Sequence, residues 1–142
     1  MDDQALVVDF KRLLRRLQRD FGPVALLMLV ADYPDNHWEV RVSAKGLDEM
    51  GEWDAVSRFL EMARETLQAK TRIAIGRVHA HKTDDLFVRA VHGTFGTRRS
   101  AGDPVSGRIL DVEIPLAIIL RSQKIAVRKR SAQRTERSLA RR

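Results

Sequence analysis

The chain has 142 residues and no cysteine, which fits one domain and excludes disulfide bonds, thiolate metal ligands and cysteine nucleophiles. Its first residues are acidic, unlike the start of a secretory signal. Its longest apolar run, residues 24–31, is far shorter than the roughly 20 residues that a membrane-spanning helix needs. We therefore expect a cytoplasmic protein without a membrane span.

The positive charge is concentrated at the C-terminal end. The chain has 26 Lys and Arg against 19 Asp and Glu, a formal net charge of +7. Nine of these bases and one acid, Glu136, lie between Arg121 and Arg142, so this segment carries +8. The remaining chain, with 17 bases and 18 acids, carries −1.

The N-terminal sequence predicts an amphipathic helix. Asp2 and Asp3 are suitable caps, because carboxylates stabilise the N-terminal end of a helix. The next apolar residues share one helical face: Leu6, Phe10, Leu13, Leu14 and Leu17. Gly22 and Pro23 end the helix.

A β-hairpin is predicted next. The apolar run 24–31 is short and bounded by turn residues, which indicates a central strand covered on both faces. Residues 33–36 predict a turn. The alternation of apolar and polar residues from Trp38 to Ala44 then predicts an antiparallel partner strand.

A second helix is predicted from about Glu52 to Gln68. Its apolar stripe consists of Trp53, Val56, Phe59, Leu60, Ala63 and Leu67. The opposite side is polar, so we expect the helix to lie on the surface of the domain.

Two segments, Arg72–Lys82 and Leu86–Phe95, resemble strands joined by a short hairpin connection. A loop rich in Gly, Ser and Pro follows at Gly96–Gly107, and a last strand begins near Arg108. Apolar residues occupy every second position of this strand, so they are predicted to share one face: Leu110, Val112, Ile114, Leu116, Ile118 and Leu120. Pro115 cannot donate a ladder hydrogen bond, which predicts an edge strand or a bulge. The alternative is a short helix that begins at Pro115.

The predicted order is α-β-β-α-β-β-β. It indicates an α+β domain over residues 1–121, in which an antiparallel sheet of about five strands packs against two helices. Residues 122–142 form a basic C-terminal tail, for which a helix capped by Ser122 is one alternative. The element order is similar to that of roadblock-type and profilin-like domains, a likeness of order alone.

The tail is the candidate nucleic-acid-binding element, because Arg and Lys neutralise phosphates and release condensed counterions. It contains no aromatic residue that could stack on bases, so we expect contacts to the RNA or DNA backbone. The alternatives are an acidic protein surface or no specific partner. The candidate residues are Lys124, Arg128, Lys129, Arg130, Arg134, Arg137, Arg141 and Arg142, with Arg98, Arg99 and Arg108 from the glycine-rich loop.

Three histidines are candidate metal ligands by residue type. His79 and His81 are two residues apart on a predicted strand and therefore point to one face. His92 lies on the predicted partner strand, in a register that does not bring the three together, so no metal site is predicted.

The chain has no recognisable catalytic or cofactor motif, so we expect a non-enzymatic protein without a cofactor. The leading hypothesis is a small nucleic-acid-associated protein that uses the tail for phosphate contacts. The alternative is an interaction or assembly module, such as a homodimer, whose tail binds an acidic partner. This alternative is suggested by the last strand, which could lie at the edge of the sheet and pair with a strand of another chain.

Overall fold

The computed structural model describes residues 3–32, 37–97 and 104–125. Its elements in chain order are α1 (Asp3–Phe21), β1 (Val24–Asp32), β2 (His37–Ala44), a 3₁₀ turn (Lys45–Leu47), α2 (Glu52–Thr66), α3 (Ala69–Ile73), β3 (Ile75–Ala80), α4 (Leu86–Phe95), β4 (Val105–Ile109) and β5 (Val112–Ser122). The fold is α+β, as predicted, with four helices among the described residues rather than two.

The five strands form one mixed sheet in the order β3-β2-β1-β5-β4. β1 is central and pairs antiparallel with β2 and with β5, which confirms the predicted hairpin and the covered strand. The prediction of a purely antiparallel sheet is wrong, because β3 pairs parallel with β2. The segment from α2 to α3 is the crossover that a parallel pair requires.

One face of the sheet is covered by α1 and α2. The apolar stripe predicted for α1 is buried, as are Phe59 and Ala63 of α2. The stripe predicted for α2 is wrong in part, since Trp53 and Leu60 are exposed. Ala55 and Met62 are buried in α2 instead, so the helix is rotated relative to the predicted stripe.

The opposite face is covered by α4. Residues Leu86–Phe95 were predicted as a strand, and this is wrong: they form a helix that packs Phe87, Val88 and Val91 against the sheet. These three residues have the spacing of a helical face. The helix crosses the sheet, because Phe87 contacts His81 and Arg41 near β3, whereas Ser122 of β5 donates to the Gly96 carbonyl.

The predicted strand Arg72–Lys82 is correct only in its second half, because residues 69–73 form α3. The last predicted strand is two strands, β4 and β5, which form an antiparallel hairpin with Leu110 at its turn. Pro115 lies in a strand, as predicted, and beside a register shift between β4 and β5. Because of this shift, the apolar residues of the strand do not all share one face as predicted. Ile114 and Ile118 pack on opposite faces of the sheet.

Candidate functional site

A cleft of about 490 Å³ lies where β3 ends, beside the start of α2. The parallel pairing of β2 and β3 brings their carboxyl ends to the same end of the sheet. The side chains that line the cleft include Arg41, His79, His81, Lys82, Glu52 and Asp85.

Four side chains that line the cleft form a continuous chain of contacts together with Glu39. His79 Nε2 lies 2.9 Å from Glu39 Oε1. Arg41 donates to the Glu39 carboxylate through Nε at 3.3 Å and through Nη2 at 3.4 Å. Its Nη1 lies 3.1 Å from His81 Nε2, and His81 Nδ1 lies 2.5 Å from Asp85 Oδ2. One arginine therefore lies between two histidines, each paired with a carboxylate.

The contacts of His81 define its protonation. A guanidinium can only donate, so His81 Nε2 must accept from Arg41 and the ring proton must lie on Nδ1, where it is donated to Asp85. Burial lowers the pKa of His81, Asp85 opposes this effect, and the positive charge of Arg41 adds to it. The site thus holds a neutral imidazole of one tautomer.

From α4, the ring of Phe87 packs against the side chains of both Arg41 and His81. The ring of His81 stacks on the ring of Phe87 with centroids 4.9 Å apart, and Arg41 Cζ lies 4.7 Å from the centroid of Phe87. Guanidinium and imidazole planes both pack favourably on an aromatic ring. α4 therefore fixes the positions of side chains that come from β2 and the end of β3.

Asp48 holds the connection between β3 and α4 in place. Its buried carboxylate accepts from the Thr83 backbone N–H at 2.8 Å and from Thr83 Oγ1 at 2.5 Å. Lys82 Nζ donates to the Asp48 carbonyl oxygen at 2.9 Å. These bonds fix the segment that carries Asp85, the partner of His81.

The three histidines behave differently. His79 and His81 both line the cleft, whereas their spacing predicted only that they point to one face of a strand. His92 lies on α4, and its Nε2 contacts the Ala25 carbonyl oxygen at 3.1 Å, so it does not join them. Within residues 3–32, 37–97 and 104–125, no three His, Cys, Asp or Glu side chains are grouped so that they could hold a metal ion.

The predicted nucleic-acid-binding residues divide into those outside and those inside the described part of the chain. Arg98, Arg99 and the basic residues from Arg128 onward lie outside the described residues. Lys124 is exposed just after β5. Arg108 pairs with Glu113 at the opposite end of β5, so it is not brought near Lys124.

The start of the tail is fixed to the domain. Ser122 is the last residue of β5, not a helix cap. The Gln123 backbone N–H donates to the Ala25 carbonyl at 3.0 Å, and Gln123 Nε2 donates to the Val24 carbonyl at 2.9 Å. Ile125 packs against the apolar cluster beneath α4.

No protein family, no curated protein and no solved structure matches this chain. Among the described helices, none has both the length and the apolar character needed to cross a membrane.

Proposed function

We propose that this protein binds the phosphate backbone of nucleic acid through its C-terminal segment. The observation that carries the proposal is the distribution of charge: +8 between Arg121 and Arg142, against −1 for the rest of the chain. Phosphate neutralisation by Lys and Arg supplies essentially all of the non-specific affinity of proteins for nucleic acid.

The anchored base of the segment supports this proposal. The hydrogen bonds of Gln123 and the packing of Ile125 attach the first residues of the basic segment to β1 and α4. Lys124, between them, is exposed. A bound nucleic acid would thus be held beside the folded domain.

A second basic segment begins at the same place. Ser122 Oγ donates to the Gly96 carbonyl at 3.1 Å, so the end of β5 and the end of α4 meet. Arg98 and Arg99 follow Gly96 by two and three positions in the sequence. The tail and the glycine-rich loop therefore both begin near this hydrogen bond.

The test compares full-length chains in a binding titration with single-stranded RNA, single-stranded DNA and duplex DNA. One variant replaces Arg128, Lys129, Arg130 and Arg134 with Gln. The control variant replaces four exposed bases elsewhere with Gln: Lys11, Arg15, Arg58 and Lys70. We expect a large loss of affinity in the first variant and a small one in the control. Equal affinity of the two variants contradicts the proposal.

A second candidate function, self-assembly, is favoured by exposed apolar side chains on α2 and α3. Trp53 is 84% exposed, Ile73 is 75% exposed and Leu60 is 43% exposed. Leu60 also lines a groove of about 350 Å³ beside β3, which is an edge strand of the sheet. We propose that a second copy of the chain would cover this surface through α2 and β3. The edge is not the last strand, as first expected, because β5 lies inside the sheet.

Light scattering over a range of protein concentrations tests assembly. We expect a dimer whose dissociation is promoted by Leu60→Glu and Ile73→Glu. Val8→Glu is the matched control, because Val8 is an exposed apolar residue of α1. A monomer at every concentration contradicts this second candidate.

A further inference from the structure

We propose that the cleft between His79 and His81 cleaves RNA by general acid–base catalysis. The choice of RNA as substrate rests on the proposed function, whereas the acid–base pair rests on the geometry of the cleft. The two histidines lie on one side of the sheet, each is oriented by a carboxylate, and Arg41 lies between them.

His81 is the general base. Its Nδ1–H is donated to Asp85, so its lone pair is on Nε2, which faces Arg41. This arrangement, a neutral imidazole oriented by a carboxylate, is the one that general bases use. Burial and the charge of Arg41 keep the imidazole neutral, and a base must be neutral to accept a proton.

His79 is the general acid. Its Nε2 lies 2.9 Å from Glu39 Oε1, so the protonated ring would use Nδ1 to transfer a proton to the substrate. The side chain of His79 is 34% exposed, against 13% for His81. A leaving group can therefore reach His79 from the open side of the cleft.

Arg41 supplies the positive charge. Its contacts to Glu39 and His81 use three of the five N–H groups of a guanidinium. When a phosphodiester binds, Arg41 Nη1 releases His81 Nε2 and donates instead to a non-bridging phosphate oxygen. This exchange frees the lone pair of the base and places a cation where negative charge develops.

The substrate supplies the nucleophile. The described residues that line the cleft include neither Ser nor Thr, and the chain has no Cys. The 2′-hydroxyl of RNA attacks the adjacent phosphorus and gives its proton to His81 Nε2. The bond from phosphorus to the 5′ oxygen breaks, and that oxygen takes a proton from His79. The products are a 2′,3′-cyclic phosphate and a 5′-hydroxyl, and water restores both histidines.

The base of the tail lies near the cleft. Ile125 and Thr83 line a common cavity of about 320 Å³, and Thr83 directly follows Lys82, which lines the cleft. RNA held by the tail would therefore lie close to His81.

The test incubates the full-length protein with a labelled single-stranded RNA, and with DNA of the same sequence, in the presence of EDTA. We expect cleavage of RNA only, with cyclic phosphate ends identified by mass spectrometry. His79→Gln and His81→Asn should each lower the rate at least about 100-fold, since general acid–base catalysis contributes roughly 10²–10⁴-fold. Asn at position 81 can still donate to Asp85, and His79→Gln changes a partly exposed side chain.

His37→Gln is the matched control, because His37 is exposed at the other end of β2. Thermal unfolding and RNA binding are measured for every variant. Cleavage that is unchanged in His79→Gln, or lost equally in His37→Gln, overturns the proposal. Salt-dependent RNA binding without cleavage also overturns it and leaves the proposed function intact. Cleavage of a short dinucleotide without binding of long RNA retains the acid–base site and rejects the binding role of the tail.

Discussion

Arg41 Nη1 lies 3.1 Å from His81 Nε2, so two side chains that can both be cationic are in direct hydrogen-bonding contact. Only one of them is charged, because the guanidinium is always protonated and the ring nitrogen must accept. The carboxylate of Asp85, 2.5 Å from His81 Nδ1, completes the arrangement. The central polar contact of the cleft therefore depends on a neutral His81.

The first prediction concerns stability against pH. Burial lowers the pKa of His81 in the folded chain below its ordinary value of about 6.5. The unfolded chain binds the proton more readily, so this residue contributes full stability above about pH 6.5 and loses it as the pH falls toward the folded pKa. Urea unfolding of the wild-type chain should show this loss, and the His81→Asn variant should show less of it. An identical pH dependence in the two chains contradicts the assignment.

The second prediction separates the causes of that pKa. Arg41→Met removes a positive charge and should raise the pKa of His81, whereas Asp85→Asn removes a negative charge and should lower it further. Met retains much of the apolar stem of Arg41 without its charge. Histidine NMR titration measures both changes. Shifts of the same sign in the two variants exclude the proposed pairing.

The third prediction concerns the support of the cleft by Asp48. Asp48→Ala leaves the Thr83 backbone N–H and hydroxyl without their acceptor, which should lower the free energy of unfolding by about 1–3 kcal/mol. Asp84→Ala, at an exposed position in the same connection, is the control and should change little. Denaturant unfolding provides both values, and similar values for the two variants would refute the role of Asp48.

The fourth prediction uses two glycines. A Cβ at Gly46 would lie 2.7 Å from the Phe21 carbonyl oxygen, so Gly46→Ala should destabilise the fold by about 1–3 kcal/mol. A Cβ at Gly93 meets nothing within 4 Å on α4, so Gly93→Ala should stabilise the fold by about 0.5–1 kcal/mol. Thermal unfolding distinguishes the two signs. A stable Gly46→Ala variant would show that the end of α1 is not packed on the 3₁₀ turn.

The sequence predicts the elements whose apolar pattern is unambiguous. α1 follows from a single helical face and Gly22, and β1 follows from a short apolar run between turn residues. α4 was mistaken for a strand because Phe87, Val88 and Val91 have high β propensity, and packing against the sheet outweighs that propensity. The buried face of α2 differs from the predicted one because Trp53 and Leu60, which are exposed, are as apolar as core residues.

The cleft shows the limit of sequence reasoning. His81 and Asp85 are only four residues apart, but the predicted hairpin places His81 on a strand and Asp85 in the connection. Arg41 and His81 are 40 residues apart, and they meet only because β2 and β3 pair in parallel through the α2 crossover. No local sequence pattern encodes that register. The series of side-chain contacts that links His79 to Asp85 through Arg41 is therefore not predictable from the sequence.

The salt dependence of nucleic-acid binding tests the central claim most directly. If the basic residues of the tail contact phosphates, the logarithm of the binding constant falls with the logarithm of salt concentration by about 0.7–0.9 per contact. Replacing Arg128, Lys129, Arg130 and Arg134 with Gln in the full-length chain should reduce that slope by up to about 3 for single-stranded RNA. A slope that is the same in the variant and the wild-type chain would contradict the account.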